Sequence, residues 1–146
     1  TGAALAAKMQ KSARRVFVLA SDAECNEGIV WEAAMFAAHH QLDNLYLLVD
    51  LNGQQALGYT REVLNLTPMA QKWQAFGWDV HEIDGHNQTE ILAAIRAGAE
   101  NRGRPHAIIA HTTFGKGVSF MESQIKWHYW PLNETEFRQA LDEVAA

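Results

Sequence analysis

Asp22 and Asn52 lie thirty positions apart, and each follows a short apolar run. Val16-Phe17-Val18-Leu19-Ala20 leads into Ser21-Asp22-Ala23-Glu24-Cys25-Asn26-Glu27-Gly28, and the run over 45–49 leads into Asp50-Leu51-Asn52-Gly53-Gln54. A carboxylate, an amide oxygen and a loop carbonyl are hard oxygen donors. Such a set suits Mg²⁺ or Ca²⁺, with a phosphate completing the coordination sphere. An acid just past a strand end and ahead of a helix is placed to hold a cation beside a phosphate. Plainer readings of the same residues exist: Asp22 as a helix or turn cap, Asn52-Gly53 as a turn. Gly115-Lys116-Gly117 is open in the same way. It reads as a flexible turn, or as a place where backbone approaches a ligand and Lys116 faces phosphate. The histidines give no ligand spacing. His39 and His40 are adjacent and cannot share a helix face, and His81, His106 and His111 read as packing or surface residues. His86 follows a strand end and receives no role.

Short apolar strands alternating with longer helical stretches must position these groups. Residues 16–20 are apolar with β-branched and aromatic members, which predicts a strand buried on both faces. Residues 28–41 are rich in helix formers. Strands are predicted at 45–50, 78–83 and 107–111. Residues 51–66 and 112–127 read as long loops. Thr67 as cap and Pro68 as first residue predict a helix to about Phe76, ended by Gly77. Asn87 or Thr89 opens a helix with Ile91, Leu92 and Ile95 on one face. Asn133 and Glu136 form a capping-box start for a last helix containing Phe137 and Leu141. Trp31, Trp73, Trp78, Trp127 and Trp130 are expected to serve core and interface burial. The alternation predicts an α/β fold, a mainly parallel sheet with helices on both faces. Ligands bind such sheets outside the carboxyl ends of the strands, which points to 21–28, 51–58 and 112–128.

Composition narrows the class. The chain has 146 residues, one domain's worth, with 48% apolar and 20% charged residues. A formal net charge of −5 speaks against a general nucleic-acid surface, and the basic cluster Lys8, Lys11, Arg14 and Arg15 reads as an exposed helix end. A single cysteine, Cys25, excludes an internal disulfide or a Cys-based zinc site and fits a reducing compartment. No run is long enough to span a bilayer and no secretory signal is visible. The first residue is Thr1 and residues 3–9 already read as helix, so the natural beginning is expected upstream.

Taken together, the segments resemble a known family. Asp22 and Asn52 in this context resemble the thiamine diphosphate motif. More narrowly, the chain resembles the diphosphate-binding N-terminal half of transketolase, in the form split between separate subunits. The resemblance rests on residues 24–34, Leu42-Asp43-Asn44-Leu45, residues 50–53, Trp73-Gln74-Ala75-Phe76-Gly77-Trp78, Asp84-Gly85-His86-Asn87, residues 115–122 and Trp127-His128. It covers nearly the whole chain, read as one thiamine diphosphate-binding domain over 1–146.

The resemblance implies a set of roles. Asp22, Asn52 and the backbone carbonyl of Gln54 match the metal ligands, for Mg²⁺ or Ca²⁺. The N–H at Ala23 matches a donor to the diphosphate, and Glu24 falls within the cofactor-binding segment. His128 matches a histidine that contacts the diphosphate and counts as the catalytic candidate. Glu27 matches an acid near the subunit interface. The 115–117 loop is expected to close over the site. The implied activity is transfer of a two-carbon ketol unit from a ketose donor to an aldehyde acceptor. The protein is expected to be cytoplasmic, and its charge and short apolar runs predict no nucleic-acid or membrane partner. It requires a second transketolase-like subunit carrying the pyrimidine-binding domain. Other thiamine enzymes, such as a 2-oxo-acid dehydrogenase component or a deoxyxylulose-phosphate synthase, fit residues 31–34 and 120–128 less well. A non-catalytic assembly subunit is the remaining alternative, because the family carries glycine on both sides of the aspartate and this chain has Ser21 and Ala23. Ala23 is expected at negative φ, with its N–H donor kept.

Overall fold

Four parallel strands make the main sheet of the computed structural model, which describes residues 1–145. Strand β1 is Val16–Ser21 and β2 is Leu45–Leu51. A hairpin of β3, Gln54–Gln55, and β4, Gly58–Tyr59, follows. Strand β5 is Asp79–Asp84 and β6 is His106–His111. The spatial order is β1-β2-β6-β5, every neighbour parallel. The predicted α/β sheet is therefore present. The register aligns Ser21 with Asp50 and Asp50 with Ala110, so the carboxyl ends of β1, β2 and β6 stand side by side. Residues 21–28, 51–58 and 112–128 leave from those ends.

Helices cover both faces. On one, α1 (Gly2–Met9), α2 (Gly28–His39) and α4 (Met69–Ala75) bury Ala4, Ala34, Ala37 and Trp73 against Leu45, Leu47, Val49 and Ile109. Small residues on α2 let it sit close, and Trp78 donates its indole N–H to the Ala34 carbonyl at 3.0 Å. On the opposite face α5, Gln88–Glu100, sets Ile91, Ala94 and Ile95 on Leu48, Ile83, Ile108 and Ala110. The last helix, α6, spans Glu134–Ala145. Its capping box is formed: Asn133 N–H donates to Glu136 and Glu136 N–H to the Asn133 side chain, both at 2.9 Å.

Several expectations are corrected. Strand β1 is not buried on both faces. It is the sheet edge, and Leu19 is 74% exposed because α5 covers only the other strands on its side. Residues 51–66 are not one loop; they hold the hairpin and a one-turn helix α3, Thr60–Val63. Pro68 is extended, φ −85° and ψ 120°, and precedes the helix rather than opening it. Lys72 instead reaches back to the carbonyls of Leu66 and Thr67. Leu92 is half exposed while Ala94 and Gly98 face the sheet. Other expectations stand without correction: Trp73 and Trp78 take the core role expected of them, while Trp130 is 64% exposed and Phe137 and Leu141 lie on the surface of α6.

Candidate functional site

The end of β1 is shaped by a reciprocal pair. Ser21 N–H donates to Glu24 Oε2 at 2.7 Å, and Glu24 N–H donates to Ser21 Oγ at 3.1 Å. This turns the chain into a single 3₁₀ turn, Glu24–Asn26, ahead of α2. Glu24 is thereby engaged with the strand end and stays exposed. Ala23 sits at φ −64° and ψ −40°, an ordinary right-handed conformation that costs alanine nothing.

Asp22 between them is 2% exposed. Its Oδ2 accepts the N–H of Gly53 at 2.8 Å, and its Oδ1 is buried without a partner. Burial pushes the carboxyl above its ordinary range, the N–H groups of Gly53 and Ala23 pull it back, and the nearby Asp50 charge raises it further. A buried carboxylate oxygen left unpaired costs on the order of 1–3 kcal/mol, more when charged. A cation would remove that cost.

The β2 end supplies the second group. Gly53 takes φ +74°, a left-handed turn that glycine tolerates. The turn brings Gly53 N–H onto Asp22 and folds Asn52 over Gln54. Asn52 Oδ1 accepts the N–H of Gln54 at 2.8 Å, and its Nδ2 donates to Asp50 Oδ2 at 3.2 Å. The other oxygen of Asp50 accepts the hydroxyl of Thr112, from the end of β6. Asp50 thus joins two strand ends and fixes the Asn52 amide. Gln54 is 3% exposed and its side-chain oxygen is unpartnered. Ala56 and Leu57 form the hairpin tip, and Gly58 opens β4.

Residues 112–128 close the third side. Gly115 and Gly117 have φ of +71° and +94°. A Cβ at Gly115 would lie 2.8 Å from the Met121 backbone, so glycine there serves close packing of the loop on itself. Lys116 faces Glu122 at 3.5 Å rather than the Asp22 region. The Gly117 N–H is the main influence holding Glu122 below its ordinary range, with Lys116 adding to it. The 3₁₀ turn Ile125–His128 packs against the Gln54–Gln55 strand, and Tyr59 OH donates to the Ser123 carbonyl at 3.2 Å. His128 is exposed there, stacked on Phe114 with centroids 6.0 Å apart and planes 6° apart.

The structure ties Asp22 to Gly53, the residue between Asn52 and Gln54, with His128 on the turn packed against the hairpin. Glu27 lies at the start of α2 and exposed. The sequence reading missed Asp50 as the tie between Asn52 and Thr112. A second acid two residues before the Asn-Gly turn was the available signal. Among the described residues no three His, Cys, Asp or Glu side chains converge as a metal cage. The oxygen donors at these strand ends are the Asp22 carboxylate and the Asn52 amide, followed by the Gln54 backbone two residues on. That set fits a hard cation whose remaining ligands come from a phosphate group.

Residues 3–144 match the family described as transketolase, thiamine diphosphate binding domain. The chain is 42% identical over 144 residues to an apulose-4-phosphate transketolase subunit of Phocaeicola vulgatus, covering 99% of this chain and 51% of that protein. It is 41% identical over 143 residues to the 6-deoxy-6-sulfo-D-fructose transketolase subunit SqwG of Clostridium sp. strain MSTE9, covering 98% and 52%. The chain spans about half the length of these curated relatives. Among solved structures it superposes on a transketolase from Campylobacter jejuni with a TM-score of 0.91 at 30% identity, covering 99% of this chain and 24% of that one.

Proposed function

The chain belongs to the transketolase thiamine diphosphate-binding family, and from that premise we propose that it is the diphosphate-binding part of a split transketolase. The observation that carries the proposal is the buried, unpartnered Oδ1 of Asp22 at the junction of two strand ends. Asp22, Asn52 Oδ1 and the Gln54 carbonyl hold Mg²⁺, or Ca²⁺ in its place, against the diphosphate. Ala23 offers its N–H to the same group, and His128 contacts it from the 125–128 turn. Glu24 shapes the turn that presents Asp22. When bound, thiamine diphosphate supplies the electron sink for breaking and making the carbon–carbon bond. This chain's residues contribute position and electrostatics.

The reaction is transfer of a two-carbon ketol unit from a ketose to an aldehyde. A second subunit supplies the pyrimidine-binding domain and the acid that activates the aminopyrimidine. Two relatives carry the word subunit in their names, which supports a two-chain enzyme. A free, buried Cys25 suits the reducing cytoplasm. The described residues contain no helix long and apolar enough to cross a membrane. The case for a non-catalytic subunit began with Ser21 and Ala23. Ala23 has ordinary negative φ and Ser21 lies within β1, so neither substitution strains the turn.

The test is reconstitution. The purified protein is mixed with the subunit bearing the pyrimidine-binding domain, Mg²⁺ and thiamine diphosphate. Ketol transfer from a ketose phosphate to an aldehyde is then followed. Activity is expected only in the mixture. Turnover by either protein in isolation, or none in the mixture with cofactor bound, would overturn the proposal.

A further inference from the structure

The stretch Asp84-Gly85-His86-Asn87 is placed outside the proposed cofactor ligands, yet it holds the loop that forms the third side of their site. Gly85 N–H donates to the His111 carbonyl at 2.9 Å. A Cβ at position 85 would lie 2.4 Å from Thr112 Cγ2 and 3.0 Å from Ala110 Cβ. The turn after β5 is therefore flush against the end of β6, and only glycine permits it. His86 N–H donates to Asp84 Oδ1 at 2.9 Å, which sets the turn. Asn87 caps α5 by accepting from the N–H groups of Thr89 and Glu90. The ring of His86 is left to reach across the sheet end. Its Nε2 accepts the backbone N–H of Thr113 at 2.8 Å.

That contact falls where the chain leaves the ladder. Thr112 N–H donates to the Leu51 carbonyl at 3.3 Å, still in the manner of the strand. Thr113 is the first residue beyond it, and His86 gives its N–H a partner, as a partly buried backbone donor requires. On the other flank the Thr112 hydroxyl donates to Asp50, which also holds Asn52. The root of the loop is thus fixed between the acid that orients Asn52 and the ring of His86. The next residue, Phe114, stacks on His128 and accepts the Ser123 N–H at 2.9 Å.

We propose that His86 is a positioning residue. Its ring nitrogen anchors Thr113 N–H and through Phe114 sets His128 at the mouth of the site. The consequence for thiamine diphosphate follows from the function proposed above.

The experiment compares wild type, His86→Ala and His86→Gln in the full-length protein with its partner subunit. Glutamine places an acceptor near the position of Nε2. Two quantities are measured: amide hydrogen exchange at Thr113 and Phe114, and the Mg²⁺-dependent affinity for thiamine diphosphate. His86→Ala is expected to speed exchange at Thr113 about fivefold, the loss of one ordinary hydrogen bond. The unfolding midpoint should drop by only a few degrees, and exchange in β6 should speed by no more than about the same fivefold loss. Cofactor affinity should fall about three- to fivefold, the same interaction lost on binding, and His86→Gln should recover most of both. Unchanged exchange at Thr113 would overturn the anchor. Faster exchange with unchanged affinity would overturn the positioning role. Wild-type protein that binds no thiamine diphosphate would instead overturn the cofactor reading, and exchange at Thr113 would still decide the anchor.

Discussion

The N–H of Gly53 donates to Oδ2 of Asp22 at 2.8 Å, joining the ends of two parallel strands, while Oδ1 of the same carboxylate is buried with no partner. One oxygen holds the loop, and the other is the one that the proposed function assigns to a cation. Asp22→Ala removes the charged ligand and the loop contact together. Metal-dependent binding of thiamine diphosphate should fall by at least about a hundredfold, since two charge-assisted interactions of roughly 1.5–3 kcal/mol are lost. The circular dichroism of the fold should survive. Calorimetric titration of the reconstituted complex measures this, and an unchanged affinity would remove Asp22 from the ligand set.

The same burial makes a prediction about the metal-free protein. Burial is the main cause raising the Asp22 carboxyl above its ordinary range. The folded chain then binds that proton more tightly than the unfolded chain does. Stability falls as pH rises from the unfolded value of about 3.9 through the raised folded one, and a deficit remains at neutral pH. Asp22→Asn keeps an acceptor for Gly53 and removes the charge. Without metal, it should be more stable than wild type at pH 7 by about 1 kcal/mol, the scale found when a functional site is relieved. The two should converge below about pH 4. Thermal unfolding across pH measures it, and equal midpoints at pH 7 would count against an uncompensated charge.

Asp79 behaves in the opposite sense at the other end of the sheet. Burial works to raise its carboxyl, but hydrogen bonds from His106 and Asn101, with His81 nearby, outweigh it and hold the group below its ordinary range. His106 is fully buried, with Nδ1 3.2 Å from Asp79 and Nε2 3.2 Å from the Asp43 carbonyl. A depressed folded value contributes stability above the unfolded value of about 3.9. That contribution is lost as pH falls through the folded one. Asp79→Asn should cost about 1–2 kcal/mol at pH 7 and almost nothing near pH 2, where the wild-type carboxyl is itself protonated. Urea unfolding at the two pH values tests it; an equal cost at both would assign Asp79 a packing role only.

How much of this could be read from the chain alone depended on locality. Runs such as Leu45–Leu51 announce strands by apolar content, and Asp22 and Asn52 announce a shared site by their place after such runs. Apolar content does not say what covers a strand, so the edge position of β1 and the exposure of Leu19 were invisible. Two-residue strands carry no period, which hid the hairpin of Gln54 and Tyr59. On α5 the bulkier Leu92 was expected to share one face with Ile91 and Ile95, but it is half exposed. A Cβ at Gly98 would already lie 2.8 Å from Tyr46, so the small residues take the face against the sheet. The pairing of His86 with Thr113 spans twenty-seven residues and depends on two strands being neighbours, which only the sheet order establishes.

Gly85→Ala probes that neighbourhood. The added methyl would stand 2.4 Å from Thr112 Cγ2 and 3.1 Å from the His111 carbonyl. Gly85 lies one residue past β5, and the facing His111 carbonyl and Ala110 belong to β6, so the contact cannot give freely. The substitution should destabilise the fold by about 1–3 kcal/mol, the usual cost of overpacking. It should also displace Thr112 from Asp50, so cofactor affinity falls further than stability explains. Denaturant unfolding and thiamine diphosphate titration separate the two effects. A stable variant with normal binding would show that the turn after β5 can retreat.

Ala23 offers the sharpest check on the turn beside Asp22. Glycine at such a position usually means positive φ or close approach of a ligand. Alanine forced into the left-handed region costs roughly 1–2 kcal/mol, and that strain would be relieved by Ala23→Gly. Here φ is −64°, so there is no strain to relieve. The N–H of Ala23 already acts on the Asp22 carboxylate, from the same edge at which the diphosphate is proposed to sit. Glycine would keep that N–H and remove only the methyl, while adding backbone freedom worth about 0.5–1 kcal/mol in the unfolded chain. Ala23→Gly should therefore lower stability slightly and change thiamine diphosphate affinity by less than about tenfold, or 1.4 kcal/mol. A gain well beyond tenfold would mean that the methyl obstructs the diphosphate, and the non-catalytic reading of this protein would regain its footing.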